Sequence, residues 1–413
     1  MTNIRNQKTS ILEFKSNFEA LFLISPLALM LVSIFNFVDT KWLLSRLIPL
    51  VCVYCLILYR GAMKRNWQSS LIRPLLLASL LAFVYFALVH LVRGDEFGFS
   101  RTLLACLVYL ALIPWSRVSH RLVKWLVVIA AVACGINAGY EYFVMGVLRV
   151  GIATNPIPYA LYCALLALTS LSFMLSEKGH IRFIASLGFV SAVAALVLTD
   201  VRGVLLFFPL IALYLALRIL PESRSYYFIT LLLTLFSLAG GYYLFQDKID
   251  HRIQQTAKEL QYISDGNYRT SIGIRLNLWQ EGLDVVEEHP VFGVGDVELK
   301  ARIIAMPNSK AAIQPHLHNQ YIDTLSRYGT VGFVILLLWL VSPLVTCKPG
   351  GGVELRLDPL LTSLILMVAL AGMTDVPFHH THVVYLFTIM SGVLLLTQTP
   401  LDEDDDLTVK PLA

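Results

Sequence analysis

The chain predicts an all-α, polytopic membrane protein of about twelve transmembrane helices, with one large helical loop late in the sequence. Three observations predict it. Of 413 residues, 57% are hydrophobic and only 15% charged, whereas a soluble domain is about a quarter charged. Apolar runs near the length needed to cross hydrocarbon recur along the chain, and lipid offers no partner to an open backbone, so each run must be helical. Lys and Arg then alternate between the connecting loops with one consistent bias.

The expected spans are Phe18–Val38, Trp42–Tyr59, Pro74–Val92, Phe99–Trp115, Leu122–Val144, Ile157–Leu175, Ile181–Thr199, Gly203–Leu220, Tyr226–Phe245, Val331–Thr346, Pro359–Thr374 and His382–Thr397. With the N-terminus inside, the inner loops carry Arg60/Lys64/Arg65/Arg73, Arg117/Arg121/Lys124, Lys178/Arg182, Arg218/Arg224 and Lys348/Arg356. The outer loops carry only Lys41, Arg93/Arg101, Arg149 and Arg202. The division that follows is residues 1–245 as nine helices, 246–323 as an outer loop, 324–398 as three helices, and 399–413 as an acidic inner tail. Both termini are expected inside. The basic stretch at Arg5, Lys8 and Lys15 precedes an apolar run too long for a signal peptide and without a small-residue cleavage site, so an uncleaved first span is expected. A net charge of +4 gives no reason to expect a nucleic-acid partner, and the six cysteines form neither a disulfide framework nor a metal motif.

The outer loop holds the polar chemistry. Ile249, Ile253, Leu260 and Ile263 recur at helical spacing and predict an amphipathic helix lying on the membrane or on the bundle. Leu276, Trp279, Leu283 and Val286 predict a second apolar stripe, ended by Pro290. Gly293 and Gly295 permit an irregular turn. A third helix is expected after Pro315, running into the tenth span, with Asp323 and Arg327 paired on its wet face.

Four outward positions are candidates for chemistry. Arg202 sits where a span begins, and an ionisable group there suggests function; the plainer reading is an arginine reaching for headgroups or pairing with Asp200. Arg275 reads either as an exposed helix charge or as a second arm of an anion clamp, since guanidinium offers a planar fork of donors to phosphate. His318 is suited to proton transfer near neutrality, with His316 as its rival. Two residues apart on a helix, these histidines are poorly placed for one metal. Asp375, beside His379, His380 and His382, completes the set; no metal motif is expected there.

The segment Ser271–Trp279, the element Pro290–Gly295, and His318-Asn319 followed by Gly329 and Gly332 resemble the O-antigen ligase and polymerase superfamily, as do Arg202-Gly203 and the Asp375 turn. The resemblance spans the whole architecture and implies a membrane-embedded glycosyltransferase of the C type in a bacterial inner membrane, active on the periplasmic face. It implies transfer of a polysaccharide from undecaprenyl pyrophosphate to lipid A–core, with inversion and with no metal or other cofactor. Arg202 and Arg275 would hold the pyrophosphate, His318 would act as base with Asp375, and His316, Asn319 and Trp279 are secondary candidates. The partners implied are the lipid-linked donor, the lipid A–core acceptor and membrane lipids; the oligomeric state stays open. Loop length and the His318-Asn319 context favour ligase over polymerase. A flippase for the same lipid-linked glycan is the alternative from another class. It would need ionisable groups near the midplane, where the main candidate, His90, lies close to the outer end of its span.

Overall fold

The computed structural model describes residues 18–220, 253–348 and 350–396, together with Gln246 and Asp250. The expected span Tyr226–Phe245, Ile249, both termini and the acidic tail lie outside the described residues. The helices run α1 (Phe18–Val32), α2 (Lys41–Leu58), α3 (Arg60–Gln68), α4 (Arg73–Arg93), α5 (Gly98–Leu112), α6 (His120–Gly139), α7 (Pro156–Ser176), α8 (Gly179–Leu198) and α9 (Arg202–Ile219). After α10 (253–264) follow α11 (Ser271–Glu288), α12 (Gly295–Ile304), α13 (Ser309–Ala312), α14 (Gln320–Val341), α15 (Pro359–Ala371) and α16 (Thr381–Leu396).

Among the described residues, seven helices are long and apolar enough to cross a membrane, and four shorter apolar ones stand where further spans were expected. The shorter four are α1, α5, α15 and α16. Helix α7 is central: every residue from Pro158 to Phe173 is buried, because its sequence is apolar or small on all sides. It packs on α8, α6, α9 and α15. The outer helices turn Leu50, Leu88, Phe183, Val190, Leu206 and Leu210 outward, the pattern of a bundle whose solvent is lipid. A short antiparallel ribbon pairs Val345–Cys347 with Val353–Leu355, an addition to the all-α expectation.

The segment between α9 and α14 has a separate small core of Leu278, Val285, Leu299, Ile303, Ala311 and Leu317. Its packing corrects the expected stripe on α11. The buried face is Gly273, Leu278, Gly282 and Val285, whereas Leu276 and Leu283 are exposed. The reason is Gly282, where a Cβ would meet Leu317 and Ile322 at about 2.5 Å, so α14 approaches α11 at the glycine. Helix α11 does stop just before Pro290, at Glu288. On α10, Ile253 and Leu260 are exposed, while Glu259 accepts from the Ile272 N–H at 3.0 Å and so joins α10 to the start of α11.

Helix α14 is broken. Gly329 takes φ +65°, ψ −168°, and a Cβ there would lie 2.2 Å from the Val291 carbonyl. The break frees the N–H groups of Thr330 and Val331, which donate to the carbonyls of Pro290 (2.9 Å) and Val291 (3.2 Å), while Val294 donates to Ser326 (2.9 Å). The Pro290–Gly295 element is thereby docked on the break by main-chain bonds. Gly293 and Gly295 have the positive φ expected of an irregular turn.

Candidate functional site

The site forms where three connections meet: the start of α9, the start of α11, and the facing segments 314–319 and 372–380. Gly203 lets α9 press onto the last of these, since a Cβ at Gly203 would sit 2.2 Å from Thr374 Oγ1. Arg202 is therefore carried beside the Asp375 turn and remains exposed. Arg275, one turn into α11, is close enough to Arg202 and Asp375 for both charges to act on it. Burial pulls its guanidinium below the usual range, Asp375 opposes this, and Arg202 adds to it. The four residues singled out from the sequence thus converge.

His318 lies before α14 with φ +51°, a conformation costly for a non-glycine residue and maintained here by bonds on every side. The Leu317 N–H donates to Asp323 Oδ1 (3.1 Å), and its carbonyl accepts from Trp279 Nε1 (3.0 Å). Asn319 caps α14, its side chain accepting from the N–H groups of Tyr321 and Ile322. Gln320 N–H donates to the carbonyls of Gly372 and Asp375, tying the two segments together. In this frame His318 Nδ1 lies 2.9 Å from Asp375 Oδ1, and Nε2 lies 3.0 Å from Gln314 Oε1.

His316 also turns to Asp375, with Nε2 at 3.9 Å from Oδ1, and it is buried. Neither histidine is on a helix, so the helical placement expected of the pair is corrected. Burial pushes the His316 imidazole down to about 4 despite the opposing charge of Asp375. The ring is then neutral, and its Nδ1 accepts the His318 N–H at 3.3 Å, which leaves its proton on Nε2. Burial works to raise the Asp375 carboxyl, but the His318 hydrogen bond and the neighbouring imidazoles hold it below the ordinary carboxylate range. Among the described residues, Asp375 Oδ2 and Arg275 Nε are buried without a hydrogen-bond partner, two unmet polar atoms in one site.

The ligand atoms of His316, His318 and Asp375 lie within 4.8 Å of one another, near enough to share a divalent ion. Helix spacing therefore gives no argument against a metal. The hydrogen bond between His318 and Asp375 accounts for the closeness of that pair without one. His379 meets His316 edge to face with ring centres 5.2 Å apart, while His382 turns away onto Phe35. His90 bonds the Asp95 carbonyl and stacks on Phe97, closing the turn between α4 and α5.

Residues 187–337 match the family described as O-antigen ligase. The chain carries a domain of the O-antigen ligase family. It is similar to an O-antigen ligase of Escherichia coli, 25% identical over 208 residues, covering 47% of this chain and 49% of that one. An uncharacterized protein of Haemophilus influenzae is 30% identical over 90 residues, covering 21% and 23%. The chain thus spans about half or less of the length of the curated relatives it matches. The O-antigen ligase match contains Arg202, Arg275, Trp279, His316, His318 and Asn319; Asp375 lies beyond it.

A buried ionic cluster centred within this domain was only partly found from the sequence. Arg327 bonds Asp323 (2.7 Å) and also Asp296, and all three are buried, so the pair expected on a wet face is inside. Asp95 Oδ1 accepts the Asp296 N–H at 2.8 Å, and Arg93 donates to the Phe292 carbonyl at 2.9 Å. The cluster borders a cavity of about 120 Å³ that also reaches His379, with Gln320, Tyr328 and Phe378 in its walls. The available signal was Arg93-Gly94-Asp95 at the end of a span, ionisable residues at a position where such groups are seldom idle.

Proposed function

We propose that this protein transfers a glycan from undecaprenyl pyrophosphate to lipid A–core at the periplasmic face of a bacterial inner membrane. The reading places both termini in the cytoplasm and residues 246–323 outside, and it treats the fold as a C-type membrane glycosyltransferase. The observation that carries it is the convergence of Arg202, Arg275, His318 and Asp375, two cations beside a histidine–carboxylate pair.

Gln314 turns its amide oxygen to Nε2 while its amide nitrogen donates to the Lys310 carbonyl, so the acceptor hydroxyl must displace Gln314; the neutral ring then keeps Nδ1–H on Asp375 and offers the Nε2 lone pair. The acceptor hydroxyl gives its proton to that nitrogen as its oxygen attacks the anomeric carbon from the face opposite the departing phosphate oxygen. The bond from that carbon to the phosphate oxygen breaks, and undecaprenyl pyrophosphate leaves with the electron pair. Its charge is met by Arg202 and Arg275, so the leaving group needs no proton and the transfer needs no metal. The anomeric centre inverts. The imidazolium that results has an acceptor for each N–H, Asp375 on one side and Gln314 Oε1 on the other.

Helix lengths support a site at the bilayer edge. Helix α15, of 13 residues, is about 20 Å long at 1.5 Å per residue, less than the ~30 Å of hydrocarbon. With its inner end at the inner surface, the Asp375 turn that follows it is recessed to where a prenyl chain entering sideways would present its phosphates.

The test is transfer by purified protein in nanodiscs supplied with lipid-linked donor and lipid A–core. Core-linked product is expected. Elongation on the lipid carrier instead would make the protein a polymerase, and donor translocation without any transfer would make it a flippase.

A further inference from the structure

A second site lies on the other side of α11 from Arg275. Asn277, Gln280 and Asp284 recur on one face of that helix, about 200° around from Arg275 for the first of them at 3.6 residues per turn. With Asn267, Tyr268 and Asn308 they line an open cleft of about 510 Å³, within the ~300–1,000 Å³ typical of ligand sites. The mechanism above uses none of these residues.

The lining is built rather than incidental. Asn308 Nδ2 donates to both Asn277 Oδ1 and the Tyr268 carbonyl at 2.8 Å, joining the two walls. Its own Oδ1 accepts from Lys310 N–H at 3.1 Å, so the amide is held from both ends. Asn267 accepts from the Arg269 N–H, which shapes the turn beneath Tyr268. That turn sits against the first turn of α11, with Gly273 in close contact with the Tyr268 backbone. The cleft and Arg275 are therefore neighbours around the helix end.

The chemistry of the lining selects among ligands. Acidic Glu281 and Asp284 accompany the one basic residue, Arg269, so the cleft has no surplus of positive charge for a phosphate. Its walls set amides and carboxylates among the apolar surfaces of Tyr268, Met306 and Pro307, a mixture that suits a guest with both polar groups and C–H faces. Planar amides and carboxylates beside a half-exposed tyrosine ring suit hydroxyl groups and the C–H face of a sugar.

We infer that this cleft binds the glycan chain of the donor, several sugars beyond the one being transferred, and that it holds uncharged, hydroxyl-rich units. The inference rests on the glycosyl-transfer reading for its purpose, but binding in the cleft is independent of turnover. From Arg275 to the cleft the path is about 7 Å along α11 and about 10 Å across it. A single sugar does not cover that distance and a short oligosaccharide does.

The experiment compares the full chain in nanodiscs with the double variant Gln280→Ala/Asp284→Ala, two outward-facing changes that leave the Asn308 bridge intact. Two donors are used, undecaprenyl pyrophosphate bearing one sugar and the same lipid bearing several repeat units. The wild type is expected to show the lower KM for the long donor. Each lost hydrogen bond should raise that KM roughly two- to tenfold, while kinetics with the one-sugar donor stay unchanged. Equal effects on both donors, or none on either, would overturn the inference. In parallel, saturation-transfer NMR measures binding of free oligosaccharide cut from the O-polysaccharide of cells that make this protein. Binding weakened in the double variant supports the cleft even where the wild type transfers nothing, an outcome that would remove only the enzymatic reading; undiminished binding overturns the cleft.

Discussion

Changing Asp375 to Asn tests the centre of the mechanism with little change of shape. Asp375 Oδ1 is 2.9 Å from His318 Nδ1, and its side chain is only 4% exposed. A hydrogen bond to a charged group contributes about 1.5–3 kcal/mol, and at about 1.4 kcal/mol per tenfold its loss slows turnover roughly 10- to 150-fold. Donor affinity should not fall, because the charge removed is negative and acts on Arg275, which is then left freer for phosphate. The assay is the initial rate of transfer in nanodiscs, with donor binding measured separately. His318→Ala should cost about 10² to 10⁴ in rate, and adding Asp375→Asn to it should cost nothing more, since the carboxylate acts through the imidazole. Wild-type turnover in Asp375→Asn, or losses that multiply in the double variant, would refute the pairing.

Arg202→Lys and Arg275→Lys should each lower turnover by about tenfold or more, because lysine keeps the charge and loses the bidentate fork; unchanged rates in both would remove the pyrophosphate clamp. Chelation with EDTA should leave activity intact, whereas loss restored by a divalent cation would assign the His316, His318 and Asp375 trio to a metal. For His316 the folded value of about 4 lies below the ordinary 6.5, so the unfolded chain binds the extra proton between those pH values. Stability from the neutral ring is then full above pH 6.5 and is lost as pH falls toward 4, by about 3 kcal/mol over the window. Thermal unfolding of wild type and His316→Gln across that range should differ in slope, and parallel curves would contradict the assignment. Glu287→Cys, in the exposed end of α11, should react with an impermeant thiol reagent on intact spheroplasts; reaction only after lysis would invert the topology.

The bundle was largely legible because lipid imposes a simple rule, long apolar runs, and residues such as those of α7 obey it without exception. The four converging residues were legible as types and as neighbours on one side, since charged groups at span ends have few idle uses. Their exact partnership was not. His318 has positive φ and sits outside any helix, so helical periodicity misdirected the comparison with His316. The Asp323–Arg327 pair was found at its i,i+4 spacing but placed on the wrong surface, because Asp296, about 30 residues earlier, completes it from another helix. The packed face of α11 was missed for a related reason: glycine carries no apolar signal, yet Gly282 decides which face α14 approaches.

The break at Gly329 has a further consequence. Because Pro290 and Val291 are joined to α14 through carbonyls and N–H groups, the demands on side-chain identity at the seam narrow to Gly329 and the few polar side chains that reach it, Arg93, Thr330 and the Asp296–Arg327 pair. A segment fastened in this way is exchangeable. Its amino acids can drift to suit a different carbohydrate while the alignment of His318 over Asp375 is preserved. A graft that takes residues 266–312 from a relative, cutting on either side of the seam, would then carry substrate preference from one bundle to another.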